Sequence, residues 1–159
     1  EALLTDAQND MRVLLLHLRP TELENKTLQE GLQMILKELT DKSNIRVVYK
    51  DMVKKVPKRI EDNLFRIAQE FISNTLKHAK ASQIEVYLYQ NSQEIQLKML
   101  DNGVGFDLNA STDEMSYGLK NIQERVDEMA GTVQFLSAKG KGTSIDVRVP
   151  ILRGEDNVE

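Results

Sequence analysis

Apolar residues recur along this chain with two periods, and the places where the period changes mark its elements. Leu3, Ala7, Met11, Leu14, Leu15 and Leu18 stand at helical spacing, and Pro20, which lacks an amide donor and restricts Arg19, ends the pattern. An amphipathic helix is expected over residues 1–18. A second is expected over 27–42, capped by Thr27, with Leu28, Leu32, Ile35, Leu36 and Leu39 on its apolar stripe. Residues 45–50 read as a short strand. Pro57 suits the first turn of a long helix that buries Ile60, Leu64, Ile67, Ala68, Phe71, Ile72 and Leu76 and ends near Ala79. The period then drops to two: Ile84, Val86 and Leu88, followed by Ile95, Leu97 and Met99, alternate with other residues, which predicts strands over 83–89 and 94–100 joined by a turn at 90–93. After a polar stretch from Asp107 to Ser116, Leu119, Ile122, Val126 and Met129 mark another helix, closed by Gly131 in the C-cap position. Strands over 132–138 and 143–149 flank the tetrapeptide KGKG, and the acidic tail after Pro150 is expected to be loose.

This order of helices and strands packs most economically as an α+β two-layer sandwich, a mixed sheet covered on one face by helices. At 159 residues the chain has the size of one compact domain. Net charge is −4 with an isoelectric point near 5.3, so no global positive field draws it to nucleic acid or to an anionic membrane. The basic cluster Lys54, Lys55, Lys58 and Arg59 lacks interleaved aromatics and reads as a solvated helix start. With no cysteine, disulfides, thiolate metal sites and a cysteine nucleophile are excluded. No apolar run reaches the roughly 18 residues that span a bilayer, and the chain opens on Glu1, so it is expected to be a fragment of something longer.

The candidate chemistry begins on the long helix. Glu70, Asn74 and His78 are four residues apart and share a face, with Lys77 beside them. Taken singly, each also reads as ordinary polar surface. Three glycine elements follow: DNGVGF at 101–106, YGLKNI at 117–122 and GKGT at 140–143. Each can present backbone N–H groups to an anion, and Gly118 is expected to do so at the opening of a helix, where the free N–H groups and the dipole both favour phosphate. A lone glycine motif reads as a turn; three of them downstream of an Asn-bearing helix form a pattern.

The succession EFISNTLKHA, DNGVGF, YGLKNIQER and GKGT resembles the nucleotide-binding boxes of the sensor histidine kinases, within the superfamily shared with gyrase, heat-shock chaperones and mismatch-repair ATPases. The upstream LLLHLRPTEL resembles the leucine-arginine-proline signature of the subfamily that includes cell-envelope stress sensors of Gram-positive bacteria. The resemblance covers roughly residues 1–150. It implies ATP and Mg²⁺ as cofactors: Asp101 accepting a hydrogen bond from the adenine 6-amino group, Asn74 holding Mg²⁺ through its amide oxygen, and Glu70 holding a metal-bound water or polarising the site. Lys77 and His78 become candidates for phosphate contact, and Gly103 and Gly105 for close approach to the nucleotide. Phe106 opens a lid over 106–117 or fills core. Gly118 and Leu119 offer backbone N–H groups to the phosphates, and Thr143 reaches adenine directly or through water. Arg125 and Lys120 are structural or assist the lid.

Kinases of this type phosphorylate a histidine on a preceding helix, in a short motif that this chain lacks. His17, in LLHLRP, matches the second dimerisation helix and reads as structural. The implied organisation is the end of that helix over 1–20, a catalytic ATP-binding domain over 21–150 and a flexible tail over 151–159. Implied partners are the dimerisation-hairpin helices of the same kinase and the receiver domain of a response regulator, with no nucleic acid. The fragment is expected to be monomeric and the whole kinase a homodimer, with this part on the cytoplasmic side of a membrane-anchored protein. Two other classes fit the nucleotide motifs, an anti-sigma-factor serine kinase and a nucleotide-responsive interaction module without transfer activity.

Overall fold

The computed structural model describes residues 25–109 and 113–154. The helix expected over 1–18, with His17, lies outside the described residues, as do 155–159. Helix α1 (Leu28–Lys42) starts where Thr27 Oγ1 accepts the Glu30 N–H at 3.2 Å. Strand β1 (Arg46–Met52) follows, then α2 (Lys58–Asn74), which runs on as a π-helical turn (Thr75–Ala79). Strands β2 (Gln83–Gln90) and β3 (Glu94–Asp101) form the hairpin, turned where Asn91 Oδ1 accepts the N–H groups of Gln93 and Glu94. Helix α3 (Asp113–Glu128) leads to β4 (Thr132–Ser137) and β5 (Thr143–Pro150).

The five strands lie in the order β1-β2-β3-β5-β4, with β1 parallel to β2 across the α2 crossover and the other pairs antiparallel. Register sets the core. Tyr49, Val86, Met99, Ile145 and Phe135 stand in one row across the inner face, and Asp51, Leu88, Leu97, Val147 and Val133 in another. In the three central strands the apolar members of these rows are buried under the helices, with Leu32, Ile60, Leu64, Ile67, Ile72, Ile122 and Val126 packed above them. This is the expected α+β sandwich. The next row along is Val47, Ile84, Asp101, Thr143 and Ser137, so the inner face turns from apolar to polar within one row at one end of the sheet. That row builds the site.

Four local expectations are revised. Helix α3 begins at Asp113, so residues 113–117 are helical rather than lid loop; buried Met115 extends the stripe of Ile122, Val126 and Met129 by two turns. Gly131 is not the left-handed residue after α3. Ala130 is, with φ 55°, while a Cβ on Gly131 would lie 2.6 Å from the Arg148 carbonyl oxygen. Arg59 is not simply solvated: it donates to the carbonyls of Met129 and Pro150 and ties the end of α3 to the end of β5. Ile151 is not loose tail, since its N–H reaches the Gln93 carbonyl at 2.8 Å and its side chain packs on the core.

Because Ala130 bears a Cβ at a left-handed helix end, Ala130→Gly is expected to raise stability by about 0.5–1 kcal/mol. The shift in urea midpoint at unchanged slope checks it.

Candidate functional site

At the polar end of the sheet the Asp101 side chain is buried, 8% exposed, and is held by three donors. Its Oδ1 accepts the N–H of Gly103 at 2.9 Å and of Thr143 at 3.2 Å, and its Oδ2 accepts the Thr75 hydroxyl at 2.9 Å. Asp101 forms one wall of a pocket of about 550 Å³, also lined by Phe71, Thr75, Ala79, Met115, Leu119 and Ile145. A mostly apolar slot ending in a fixed carboxylate suits a flat ring that carries a hydrogen-bond donor at its edge. Asn74, His78, Gly105, Phe106 and Thr143 line the same pocket.

On the other side of Asn74 lies a polar groove of about 920 Å³, lined by Arg66, Gln69, Glu70, Ser73, Lys77, Tyr117, Asn121 and Arg125. Asn74 and Ile122 line both spaces. Of the face predicted from Glu70, Asn74 and His78, with Lys77 beside them, Glu70, Asn74 and Lys77 line the groove while His78 lines the pocket, so Asn74 stands where an apolar pocket meets a cation-bearing groove. Arg125 also braces the two helices, donating to Asn63 Oδ1 at 3.2 Å, whereas Lys120 makes an exposed pairing with Glu124 at 4.0 Å. Among the described residues no group of three or more His, Cys, Asp or Glu stands together as a metal cage. A divalent cation at the divide would have the Asn74 amide oxygen as its protein ligand and would complete its shell from phosphate and water, as Mg²⁺ commonly does.

The π-helical turn places these groups. Widening the last turn of α2 brings Thr75 under Asp101, with Lys77 exposed toward the groove and His78 in the pocket. Lys80 then closes the helix in a left-handed conformation, φ 49°.

Gly118 and Leu119 are placed differently from the expectation. Since α3 starts at Asp113, the Gly118 N–H lies beyond the first four amides that a helix leaves unbonded, and neither Gly118 nor Leu119 opens the helix. Gly118 instead lets α3 pass against α2. A Cβ there would stand 2.5 Å from Glu70 Oε1 and 3.1 Å from Asn74 Nδ2. Gly103 and Gly105 bring backbone to backbone, with a Cβ falling 2.3 Å from the Ala79 carbonyl oxygen in the first case and 2.0 Å from that of Ala138 in the second. The loop so formed is pinned by Val104 N–H to Ala79 O at 2.7 Å and Gly140 N–H to Val104 O at 2.6 Å.

Among the site residues that escaped the sequence reading, two organise the pocket wall. Thr75 holds Asp101, and Ser137 accepts the Phe106 N–H at 3.0 Å while bonding the Thr143 hydroxyl at 2.8 Å. Each carried a signal: Thr75 falls on the apolar stripe four residues after Phe71, and Ser137 continues the inward alternation of Val133 and Phe135.

Comparison with known proteins agrees with this geometry. The family described as Histidine kinase-, DNA gyrase B-, and HSP90-like ATPase matches residues 59–153, and the chain belongs to that family. It is 44% identical over 150 residues to the sensor histidine kinase LiaS of Bacillus subtilis (strain 168), covering 94% of this chain and 41% of LiaS. It is also 43% identical over 159 residues to the sensor protein VraS of Staphylococcus aureus (strain COL), covering all of this chain and 45% of VraS. The chain thus spans less than half the length of these relatives. Among solved structures, the histidine kinase domain of the Erythrobacter litoralis EL346 blue-light activated kinase matches with a TM-score of 0.63 at 17% identity, over 82% of this chain and 64% of that one. The mycobacterial sensor histidine kinase MprB matches at 0.55 and 16% identity, over 77% and 92%. At these identities the likeness concerns the fold.

Proposed function

We propose that this domain binds Mg-ATP and presents the γ-phosphate to a histidine on a dimerisation helix of the same kinase, from which the phosphoryl group passes to an aspartate of a response-regulator receiver domain. The observation that carries the reading is the pairing of two unlike spaces across Asn74: an apolar pocket ending in the Asp101 carboxylate and a groove bearing Arg66, Lys77 and Arg125. A purine fits the first, and a triphosphate chain suits the second. In this arrangement Asp101 accepts from the 6-amino group, Phe71 and Ile145 flank the ring, and Thr143 contacts its edge. Asn74 and Glu70 face the phosphates with Lys77. Bound Mg²⁺ neutralises phosphate charge, and the protein contributes position and electrostatics.

Glu70, for whose carboxylate Gly118 leaves room, would orient a metal-bound water. The domain works as part of a homodimer whose membrane-anchoring segments lie outside it; among the described residues no helix is long and apolar enough to cross a membrane. The 44% identity to a sensor histidine kinase favours histidine as acceptor over the serine of an anti-sigma-factor kinase.

Titration of the chain with ATP and ADP, with and without Mg²⁺, tests the reading. Wild type is expected to bind both nucleotides, ATP more tightly when Mg²⁺ is present. Asn74→Ala is expected to bind metal-free ATP as wild type does and to lose the Mg²⁺ enhancement, about tenfold or more for one missing ligand. An enhancement that survives the substitution removes Asn74 from the metal. Phosphorylation of an added fragment carrying the acceptor helix then tests transfer.

A further inference from the structure

The wall of the pocket around Asp101 carries hydroxyl groups whose protons are already engaged. Thr75 Oγ1 lies 2.9 Å from Asp101 Oδ2, and a carboxylate oxygen accepts, so the proton in that bond is the threonine's. Ser137 Oγ has three neighbours: the Phe106 N–H at 3.0 Å, the Gly142 carbonyl oxygen at 3.2 Å and Thr143 Oγ1 at 2.8 Å. The amide can only donate and the carbonyl can only accept. Ser137 therefore gives its single proton to Gly142, and the bond between the two hydroxyls uses the proton of Thr143. Asp101 Oδ1 is filled by the N–H groups of Gly103 and Thr143. What remains to face the cavity is lone pairs, on Asp101 Oδ2, Thr75 Oγ1 and Thr143 Oγ1, and all three residues line the same pocket.

We infer that Thr75 and Ser137 are positioning residues that make this wall accept hydrogen bonds without donating any, so that it takes a purine with an exocyclic amine and rejects one with an oxo group there. The inference rests on the nucleotide reading above and assigns its base selectivity to two residues to which the resemblance gives no role, Thr75 beside Asn74 in the first motif and Ser137 outside the motifs. Thr75 acts through Asp101, fixing which carboxylate oxygen turns to the base while its own oxygen stays an acceptor. Ser137 acts through Thr143 by drawing the threonine proton away from the cavity. An amine has two hydrogens for these acceptors, whereas an oxo group sets lone pair against lone pair and leaves buried acceptors unmatched. The ring nitrogen beside the amine, itself an acceptor, would meet Thr143 through a water that donates to both.

The test is titration of the chain, in Mg²⁺, with ATP and with inosine triphosphate, which carries oxygen in place of the amine. Wild type is expected to prefer ATP by roughly a hundredfold. Thr75→Val keeps the shape and removes the proton and the acceptor oxygen; it is expected to cut the ATP-to-inosine preference about tenfold, and Thr75→Ser to restore it. Ser137→Ala frees the Thr143 proton to turn inward, where it can donate to an oxo group, so the preference falls mainly because the inosine nucleotide binds better. Thermal melting of every variant accompanies the titrations, and if one substitution unfolds the chain the other decides. An unchanged preference in a folded Thr75→Val or Ser137→Ala overturns the inference and leaves the nucleotide reading standing. Equal binding of both nucleotides by wild type overturns it as well, while binding of neither defeats the reading on which it rests.

Discussion

Replacing Asp101 by asparagine is expected to weaken ATP binding about a hundredfold while the domain stays folded. The end of the side chain that faces the N–H groups of Gly103 and Thr143 must remain an oxygen, since two donors point at it. The amide nitrogen is then forced to the end that faces Thr75 and the pocket. There the Thr75 hydroxyl can turn to accept one amide hydrogen, but the other amide hydrogen meets the amine of the base, donor against donor. A charge-assisted bond worth about 1.5–3 kcal/mol is lost and a buried donor is left unmatched at about 1–3 kcal/mol; the two costs overlap, being counted on the same pair of groups, so a loss of about 3 kcal/mol in affinity is expected. That corresponds to roughly a hundredfold. Calorimetric titration beside a thermal melt measures both parts. A folded variant that keeps ATP within about tenfold of wild type removes the carboxylate from base recognition.

The second large effect concerns two glycines of the KGKG turn that share a conformation and differ in surroundings. Gly140 has φ 78° and Gly142 φ 74°. A Cβ on Gly140 meets nothing within 4 Å, whereas one on Gly142 would lie 2.1 Å from the Asp101 carbonyl oxygen and 3.3 Å from Asn102 Cα. Gly140→Ala is therefore expected to cost only the left-handed backbone term, about 1–2 kcal/mol. Gly142→Ala must also push β5 away from β3 at Asp101, where the two strands are paired through Thr143. Its loss is expected at about 4 kcal/mol or more, in the range reserved for clashes that a core cannot absorb. Urea unfolding of the pair reads the difference directly, and equal losses would mean that the turn carries no contact with Asp101.

How much of this was legible in the sequence depends on which interactions were local. The hairpin strands were placed to within a residue because Ile84, Val86, Leu88, Ile95, Leu97 and Met99 are all buried and alternate without a break. The face of Glu70 and Asn74 was legible for the same reason, being a matter of helical period alone. The start of α3 was not. Met115 stands four residues before Leu119 and continues its stripe, but Gly118 lies between them and reads as a helix opening; only the packing of α3 against α2 shows that the glycine is there for close approach. Ala130 hid the helix end in the same way, since a left-handed alanine leaves no mark that Gly131 does not overshadow. Thr75 and Ser137 were missed because what they organise is set by strand register, Asp101 for Thr75 and, for Ser137, Phe106 and the Thr143 that pairs with Asp101. The Thr75 bond to Asp101 spans 26 positions, and the place of Thr75 on the apolar stripe marks it as buried without naming its partner.

The placement of β5 between β3 and β4 has a consequence for how the chain is made. A ribosome delivers β4 before β5, its partner in the sheet, and Asp101 emerges 42 residues ahead of the Thr143 amide that helps fill its carboxylate. At ordinary elongation rates that interval is roughly two to eight seconds, long compared with the time a hairpin takes to form. Through it β3 has an open edge and a carboxylate held by water. The nascent domain can shelter its first helices and the β2-β3 hairpin, but its sheet closes and its pocket comes into being in one late step, when the last strand slides into the gap left for it.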